Sequence, residues 1–188
     1  MAMMRGEFTS LPNSREVEFT LNGFFQSQGF GRPVNSLEPF ASTIAVHLSG
    51  ELVGAAHTAP PPDLIRALMA RGAELDDAFE SASSVHALQA LAVAQHARGK
   101  GLGAGLLDEC ARYVRDELGA DALIARVDST HERLVGWYER HGFTVCAIDE
   151  VIQIDGVTLP PVDQLRDAWR PLTSSPRLSI HAVPLGAR

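Results

Sequence analysis

The sequence is poor in cysteine, in aromatic residues and in basic charge. Its 188 residues include two cysteines, Cys110 and Cys146, and 6% aromatic residues. Two cysteines cannot build the disulfide framework of a small secreted domain, so we expect a reducing, cytoplasmic environment. Acidic residues outnumber lysine and arginine by 23 to 16, for a net charge of -7. This balance argues against general affinity for nucleic acids or anionic membranes and suits a cationic small substrate.

Long apolar segments are also missing. The N-terminal residues contain no apolar signal core, and the longest uncharged run, residues 81–97, is interrupted by His86, Gln89 and other polar residues. We therefore expect neither an export signal nor a membrane span. The seven histidines are scattered without metal-ligand spacing, so no metal site is expected. Length predicts a single domain over residues 1–188, and the sequence leaves a homodimer open.

Apolar spacing predicts an alternating series of strands and helices. In the first half of the chain we expect a loose end over 1–14, a strand at 17–21, a helical turn ending near Gly29, a hairpin over 42–58 and a helical insertion at 60–83. A strand at 85–93, a helix at 104–118 and a strand at 123–127 follow, and then a helix that is opened by a Ser129–Glu132 capping box and closed by Gly142. The remaining residues are expected to form a strand at 143–148, a second insertion at 150–177 with a short helix near 162–169, and a last strand at 178–183. The alternation from 85 to 148 predicts an α/β class with some parallel pairing, whereas the hairpin requires antiparallel pairing. The expected sheet is mixed.

The segment from Leu91 to Gly105 predicts an anion-binding turn. A strand runs here through a basic, glycine-rich stretch into a helix. Glycines lack the Cβ atoms that would hinder close approach, and the first N–H groups of a helix have no intrahelical partner. A pyrophosphate is the expected occupant. The stretch lacks the Walker A lysine and hydroxyl and fits the dinucleotide fingerprint poorly, which disfavours a nucleotide triphosphatase and a Rossmann dehydrogenase.

Two motifs resemble those of the GNAT superfamily of N-acetyltransferases. Arg98-x-x-Gly101-x-Gly103, preceded by Leu91-x-Val93, resembles the family's coenzyme A motif. The stretch Trp137-Tyr138-Glu139-Arg140-His141-Gly142-Phe143 resembles its Tyr-x-x-x-Gly-Phe helix end. The resemblance is strong over residues 85–148 and weak over 15–58 and 178–185. Around the cofactor motif, the sequence is remotely similar to arylalkylamine N-acetyltransferases. It implies a central, mostly antiparallel sheet with one splayed parallel strand pair, flanked by helices.

The resemblance also implies acetyl-CoA as the cofactor. The strand backbone at Leu91 and Val93 would pair with the thioester carbonyl and the pantetheine arm, and the glycine turn would bind the pyrophosphate. His131 stands where many relatives have an asparagine, and an imidazole N–H can also donate a hydrogen bond there. The implied cofactor-binding residues are Leu91, Ala92, Val93, Arg98, Gly99, Lys100, Gly101, Leu102, Gly103, Ala104 and His131.

Three residues are candidates for the chemistry. Tyr138 matches the family tyrosine that faces the coenzyme A sulfur and protonates the leaving thiolate. His86 and Gln89 lie on opposite faces of the strand before Leu91. His86 reaches the site only if a bulge shifts the register and is otherwise a core histidine with satisfied hydrogen bonds, whereas Gln89 would hold a water that carries the proton.

These features predict an enzyme that transfers an acetyl group from acetyl-CoA to a primary amine of a small molecule by direct attack in a ternary complex. Two alternatives remain open: a non-catalytic acyl-CoA-binding regulatory domain, and an acetyltransferase for protein N-termini or lysines. The insertions at 60–83 and 150–177 favour a covered pocket for a small molecule. Their acidic residues, among them Asp76, Asp77 and Asp167, would attract the positive charge of the amine.

Overall fold

The computed structural model describes residues 7–31, 33–35, 39–174 and 176–186. These residues form β1 (Glu7–Leu11), α1 (Arg15–Ser27), β2 (Ser42–Leu48), β3 (Glu51–Ala59), α2 (Pro62–Ala70), α3 (Leu75–Ala82), β4 (Val85–Val93), α4 (Leu102–Asp116), β5 (Ala122–Asp128), α5 (Glu132–Arg140), β6 (Thr144–Val145), β7 (Glu150–Ile154), β8 (Val157–Thr158), β9 (Leu165–Pro171) and β10 (Ile180–Pro184). Two compact units result. The first comprises the chain up to Ala59 with Leu88–Val114, and the second comprises Pro60–Ala87 with the chain from Arg115.

The sheet of the first unit has the strand order β1-β2-β3-β4. The predicted hairpin is confirmed as the antiparallel pair β2–β3, whose turn at Ser49 and Gly50 has positive φ at both residues. Neighbouring residues of a strand point to opposite faces of the sheet, and a helix covers each face of this one. Ala55 packs in the core beneath α1, whereas a Cβ at Gly54 would lie 2.9 Å from Leu106 of α4.

Helix α1 occupies the place of the predicted strand at 17–21, so that prediction was wrong. The Ser14 side chain caps the helix by accepting the N–H of Val17 at 3.3 Å. Leu21 and Phe25, one turn apart, are buried, while Phe19 is 82% exposed on another face. The alternation of apolar residues at 17, 19 and 21 therefore does not indicate a strand. The predicted loose end was also wrong over Glu7–Leu11, which pair with β2 as β1; residues 1–6 lie outside the described residues.

The second unit contains the start of β4 and the strand order β4-β5-β9-β6, together with a three-stranded sheet of order β10-β7-β8. Strands β4 and β5 begin side by side, since the N–H of Asp121 donates to the carbonyl of Ser84 at 2.8 Å. They form the parallel pair, whereas β5 with β9 and β6 with β9 are antiparallel. The predicted α/β class with a mixed sheet flanked by helices is confirmed.

Residues 150–177 contribute strands rather than the predicted helix. Strand β9 pairs with β5 along its whole length, from Leu165 opposite Asp128 to Pro171 opposite Ala122. The helix predicted near 162–169 was therefore wrong, and the strand predicted at 143–148 shortens to Thr144–Val145. Pairing with β5 overrides the local pattern here. None of the helices in the described ranges has the length and hydropathy of a membrane-spanning segment.

A charged network joins α2, β5, β7 and β9 inside the second unit. The guanidinium of Arg126 lies 2.8 Å from Asp63 and 3.3 Å from Asp167, and donates to the carbonyl of Pro160 at 3.0 Å. The other carboxylate oxygen of Asp167 accepts the N–H of Ile152 at 3.2 Å. Asp167 is 6% exposed. Its predicted place on an acidic substrate rim was therefore wrong, because a neighbouring arginine already balances its charge.

Replacing Asp167 with alanine should lower the free energy of unfolding by about 2–3 kcal/mol. The change leaves Arg126 with one carboxylate fewer and leaves the N–H of Ile152 without its acceptor. Urea unfolding followed by circular dichroism measures the loss. Arg66→Ala is the matched control: Arg66 also pairs with Asp63, but its side chain is 71% exposed, so we expect a change below about 0.5 kcal/mol. Equal losses in the two variants would contradict a buried network.

Candidate active site

The predicted anion-binding turn lies in the first unit, between β4 and α4. A 3-10 turn at Gln95–Ala97 leads from the strand into the glycines. Gly99 and Gly101 have φ of +75° and +79°, the left-handed region that favours glycine. A Cβ at either position would meet no described protein atom within 4 Å. The space beside the glycine backbone of the turn is therefore open. A ligand that approaches the backbone closely needs such open space.

The turn ends at the N-terminus of α4. The carbonyl of Gly101 accepts the N–H of Gly105 at 3.0 Å and so begins the hydrogen-bond ladder of the helix. The N–H groups of Leu102, Gly103 and Ala104 precede that first donor and are left for a ligand. They lie at the positive end of a 15-residue helix dipole. This geometry fits a pyrophosphate.

Close packing fixes the start of α4 against the sheet. A Cβ at Gly105 of α4 would lie 2.6 Å from Cζ of Phe8 on β1, and one at Gly54 of β3 would lie 2.9 Å from Cδ1 of Leu106 on α4. Both glycines therefore allow a close approach that any larger residue would prevent. Gly105 is the last residue of the predicted anion-binding stretch, but its contact with Phe8 could not be predicted, because β1 was not expected.

The side chain of Arg98 spans the turn. Its Nε donates to the carbonyl of Val93 at 3.0 Å, and its Nη2 lies 3.5 Å from Oε1 of Gln28. Arg98 therefore braces the end of β4 in addition to carrying charge, a contact that sequence spacing could not predict. Lys100 is exposed, as is Gln89 on β4. Ala92 is buried in the first-unit core, and Leu91 and Val93 are half-buried.

His86 lies on the part of β4 that belongs to the second unit. The side chain is 0% exposed, and neither ring nitrogen has a hydrogen-bond partner among the described residues. His86 is therefore a core histidine, as one of the two predictions had it, but the expected hydrogen bonds of its ring are not made by the described residues. Burial lowers the pKa of His86 to about 4, so the ring is neutral at pH 7.

The buried His86 should make the protein sensitive to acid. Its pKa is about 4 when folded and about 6.5 when unfolded, so protons bind preferentially to the unfolded chain. The resulting loss of stability is absent above pH 6.5 and grows as the pH falls toward 4. We expect a loss of about 2 kcal/mol between pH 7.5 and pH 5 from this group.

Urea unfolding at these two pH values measures the loss. His86→Leu should remove that share of the pH dependence, whereas His96→Gln, at an exposed position, should leave it unchanged. The same pH dependence in wild type and His86→Leu would show that His86 does not titrate on unfolding in this range.

Tyr138 lies on α5 in the second unit, and the Tyr-x-x-x-Gly-Phe pattern explains its packing. Gly142, with φ of +82°, turns the chain back so that the N–H of Phe143 donates to the carbonyl of Tyr138 at 3.1 Å. The ring of Tyr138 then packs edge-on against Phe143 at 5.1 Å and Trp137 at 5.0 Å between centroids. Burial raises the pKa of Tyr138 to about 12, so the phenol stays protonated at neutral pH.

His131 precedes the first residue of α5, where Ser129 was predicted to begin a capping box. That prediction was wrong: the hydroxyl of Ser129 donates instead to the carbonyl of Gln164 at 3.0 Å. Nδ1 of His131 lies 3.0 Å from Oδ2 of Asp128. Hydrogen bonds from Thr130, then the neighbouring His131, lower the pKa of Asp128. Asp128 was not among the predicted site residues, although a carboxylate three residues before a histidine at a helix start is visible in the sequence.

The predicted site residues fall into two groups. Gln89, Leu91, Ala92, Val93 and the turn 98–104 come together in the first unit, and His86, His131 and Tyr138 lie in the second. A family match, together with structural neighbours of the same fold, indicates that the protein is an acyltransferase. The model of the acetyltransferase (GNAT) family matches residues 10–143, and the chain belongs to this family. The predicted family resemblance is confirmed.

Solved structures show the same fold. The ribosomal-protein-S18-alanine N-acetyltransferase of Escherichia coli superposes with a TM-score of 0.61 at 14% identity, covering 92% of this chain and 97% of its own. A GNAT acetyltransferase of Staphylococcus aureus gives a TM-score of 0.60 at 14% identity, with 89% and 100% covered. N-acetylglutamate synthase of Neisseria gonorrhoeae, complexed with coenzyme A and N-acetyl-glutamate, gives 0.54 at 18% identity, with 90% and 36% covered. No curated protein sequence matches the chain significantly.

Proposed function

We propose that this chain transfers the acetyl group of acetyl-CoA to the primary amine of a small molecule by direct attack in a ternary complex. The observation that carries the proposal is the open turn at Gly99 and Gly101. It leads into the first turn of α4, whose N–H groups have no partner within the helix. Membership in an acetyltransferase family supports the same reaction. The N-acetylglutamate synthase with the same fold binds coenzyme A, which agrees with the proposed cofactor.

Different residues of the first unit are proposed to bind different parts of the cofactor. The N–H groups of Leu102–Ala104 suit the pyrophosphate, with Arg98 and Lys100 adding positive charge. The backbone of Leu91–Val93 suits the amides of the pantetheine arm, which can pair with a strand as a peptide does. Bound acetyl-CoA supplies the activated acetyl thioester for the transfer.

Tyr138 is proposed to donate to the sulfur as it leaves. A thiol has a pKa near 8.5, well below the value of about 12 that burial gives the phenol. Complete proton transfer from Tyr138 to a thiolate is therefore uphill. The hydroxyl acts by donating a hydrogen bond to the developing negative charge and does not lose its own proton at neutral pH.

The proton released by the amine needs an acceptor, and β4 offers two groups. His86 is neutral at pH 7 and has two unpartnered nitrogens, so it can accept a hydrogen bond and pass a proton on. Because the pKa of His86 is about 4, the ring holds a proton only weakly at pH 7, so it is suited to passing the proton on and not to keeping it. Gln89 is exposed and cannot titrate, so its proposed role is to orient a water that carries the proton.

A positively charged amine suits the charge of the chain. Asp167 is neutralised by Arg126, but Asp76 and Asp77 of α3 are exposed on the second unit. Exposed carboxylates steer a cationic substrate and lose this effect as salt screens them. We therefore propose an amine with an apolar body and a positive head, and expect its KM to rise with salt.

Release of free thiol from acetyl-CoA, measured across a panel of amines, tests the proposal. The panel contains arylalkylamines, polyamines, acidic and neutral amino acids, and peptides with a free N-terminus or a lysine. We expect turnover with small cationic amines. Turnover with the peptides alone would replace the small-molecule acceptor by a protein, and tight acetyl-CoA binding without turnover would favour a regulatory acyl-CoA-binding domain.

A further inference from the structure

Strand β10 lies at the edge of the three-stranded sheet of the second unit. The sheet has the order β10-β7-β8, so no described strand pairs with the outer side of β10. Its residues, Ile180–Pro184, include no aspartate, glutamate, lysine or arginine. Charged side chains and prolines protect free strand edges from pairing with other chains. Here Pro184 protects the end of the strand, and the residues before it have no such protection.

The hydrogen bonds of β7 show which backbone groups of β10 point outward. Ile152 of β7 lies opposite Ala182. The carbonyl of Ile152 accepts the N–H of Leu159 at 2.9 Å and its N–H donates to Asp167, so both groups point away from β10. Opposite residues of an antiparallel pair direct their backbone groups either toward each other or away from each other. Ala182 therefore presents its N–H and its carbonyl to the outer edge, and Ile180, two residues away, does the same.

The side chains of β10 suit the addition of a strand with apolar residues at alternate positions. Ile180 and Ala182 are half-buried and pack against the apolar cluster of the second unit, so an apolar neighbour on the outer side would extend this packing. His181 lies on the other face and is exposed, with Nε2 3.1 Å from Oε1 of Gln153 on β7.

A second copy of β10 meets these requirements. In an antiparallel pair with a two-fold axis at His181, Ile180 of each copy lies opposite Ala182 of the other. Each of these residue pairs exchanges two backbone hydrogen bonds, so every outward N–H of the two residues finds a carbonyl. The side chain of Ile180 then packs against Ala182 across the interface.

Pro184 excludes the neighbouring register. A two-fold axis at Ala182 would place Pro184 of one copy opposite Ile180 of the other. Proline has no N–H to donate there, and its ring would meet the carbonyl of Ile180. With the axis at His181, Pro184 lies beyond the paired residues, so the edge selects that register.

We propose that the outer edge of β10 is the interface of a homodimer, in which the three-stranded sheets of two copies join into one continuous sheet. An edge pair of this size is small compared with a permanent interface, so we expect a dissociation constant in roughly the micromolar range. The dimer is independent of acetyl transfer, because β10 carries none of the residues proposed for that reaction.

Cysteine cross-linking tests the register. With the axis at His181, residue 181 of one copy lies directly opposite residue 181 of the other, with Cα atoms about 4.5 Å apart, which a disulfide can span. His181→Cys should therefore form a disulfide-linked dimer under mild oxidation. Val183→Cys is the matched control, because it lies on the same face but about 13 Å along the strand from its copy. Cys110 and Cys146 are buried, so we expect no competing cross-link from them.

Sedimentation velocity at protein concentrations of about 1–300 µM measures the association, and wild type should shift from monomer toward dimer over this range. Ala182→Pro removes an outward N–H and adds a ring at the edge, so it should associate at least about ten-fold more weakly. Pairing with β7 does not use this N–H, so we expect the fold to be retained.

His181→Glu is the second variant, in case Ala182→Pro does not fold. Its exposed side chain would place two carboxylates opposite each other, so association should weaken about three- to ten-fold. Gln95→Glu adds a negative charge at an exposed position of the first unit and should leave association within about two-fold of wild type.

A wild-type protein that stays monomeric over the whole concentration range would overturn the proposal. Equal cross-linking of His181→Cys and Val183→Cys would also overturn it, because the register would then be wrong. A dimer that neither Ala182→Pro nor His181→Glu weakens would place the contact on another surface. The proposed acetyl transfer would stand in each of these cases.

Discussion

Tyr138→Phe should lower kcat about 100-fold and leave the affinity for acetyl-CoA almost unchanged. Removing a hydrogen bond that forms only as charge develops on the sulfur lowers the rate without affecting ground-state binding. The rings of Trp137 and Phe143 still pack against phenylalanine, so we expect the fold to be retained. Initial rates of thiol release and calorimetric affinities give the two quantities.

Tyr113→Phe is the matched control for Tyr138→Phe. Tyr113 is the other tyrosine of the chain and lies on α4, eleven residues after the first helical position. It has no place in the proposed transfer, so its kcat should stay within about two-fold of wild type. If Tyr138→Phe turned over as fast as wild type, Tyr138 would be a packing residue and the leaving sulfur would need another donor.

Gly101→Val should weaken acetyl-CoA binding at least about 100-fold. The residue has a φ of +79°, which a β-branched side chain adopts only under strain, and its Cβ would point into the open space that the proposed phosphates occupy. Both effects displace ligand from the N–H groups of α4. Lys100→Ala removes one exposed, screened charge, so we expect a loss below about ten-fold.

Gly50→Val is the control that distinguishes the effect of backbone strain on stability from an effect on acetyl-CoA affinity at the proposed site. Gly50 has φ of +84°, also with nothing within 4 Å of a Cβ, but it lies in the β2–β3 turn. It should lose stability without a selective loss of acetyl-CoA affinity. If Gly101→Val unfolds, Gly101→Ala is the milder variant and should still bind about ten-fold more weakly than wild type. Equal losses of affinity in Lys100→Ala and Gly101→Ala would contradict a site built mainly from backbone N–H groups.

Local signals were sufficient where neighbouring residues determine the structure. The hairpin at 42–58, the strand at 85–93 and the helix that follows depend on turn glycines and on apolar periodicity, and both are visible in sequence. The open turn between this strand and helix was predictable for the same reason, because Gly99 and Gly101 serve its local backbone conformation. Its binding of an anion stays a prediction.

Pairing between distant segments could not be predicted from local pattern. The stretch 162–169 has apolar residues at helical spacing, yet β9 forms because Leu165–Pro171 completes the ladder of β5. Ser129 has the chemistry of a helix cap, but its hydroxyl donates to Gln164, 35 residues away. The unpartnered nitrogens of His86 and the brace from Arg98 to Val93 likewise depend on packing around each side chain.

The central claim is direct transfer of an acetyl group from acetyl-CoA to an amine, and the fate of a labelled acetyl group tests it most directly. Wild-type protein is incubated with acetyl-CoA carrying a ¹³C-acetyl group and an amine that releases thiol, and the amine and the intact protein are then weighed by mass spectrometry. We predict labelled N-acetylamine in equal amount to the free coenzyme A, with the mass of the protein unchanged. Label on the protein, or free coenzyme A without labelled N-acetylamine, would contradict direct transfer.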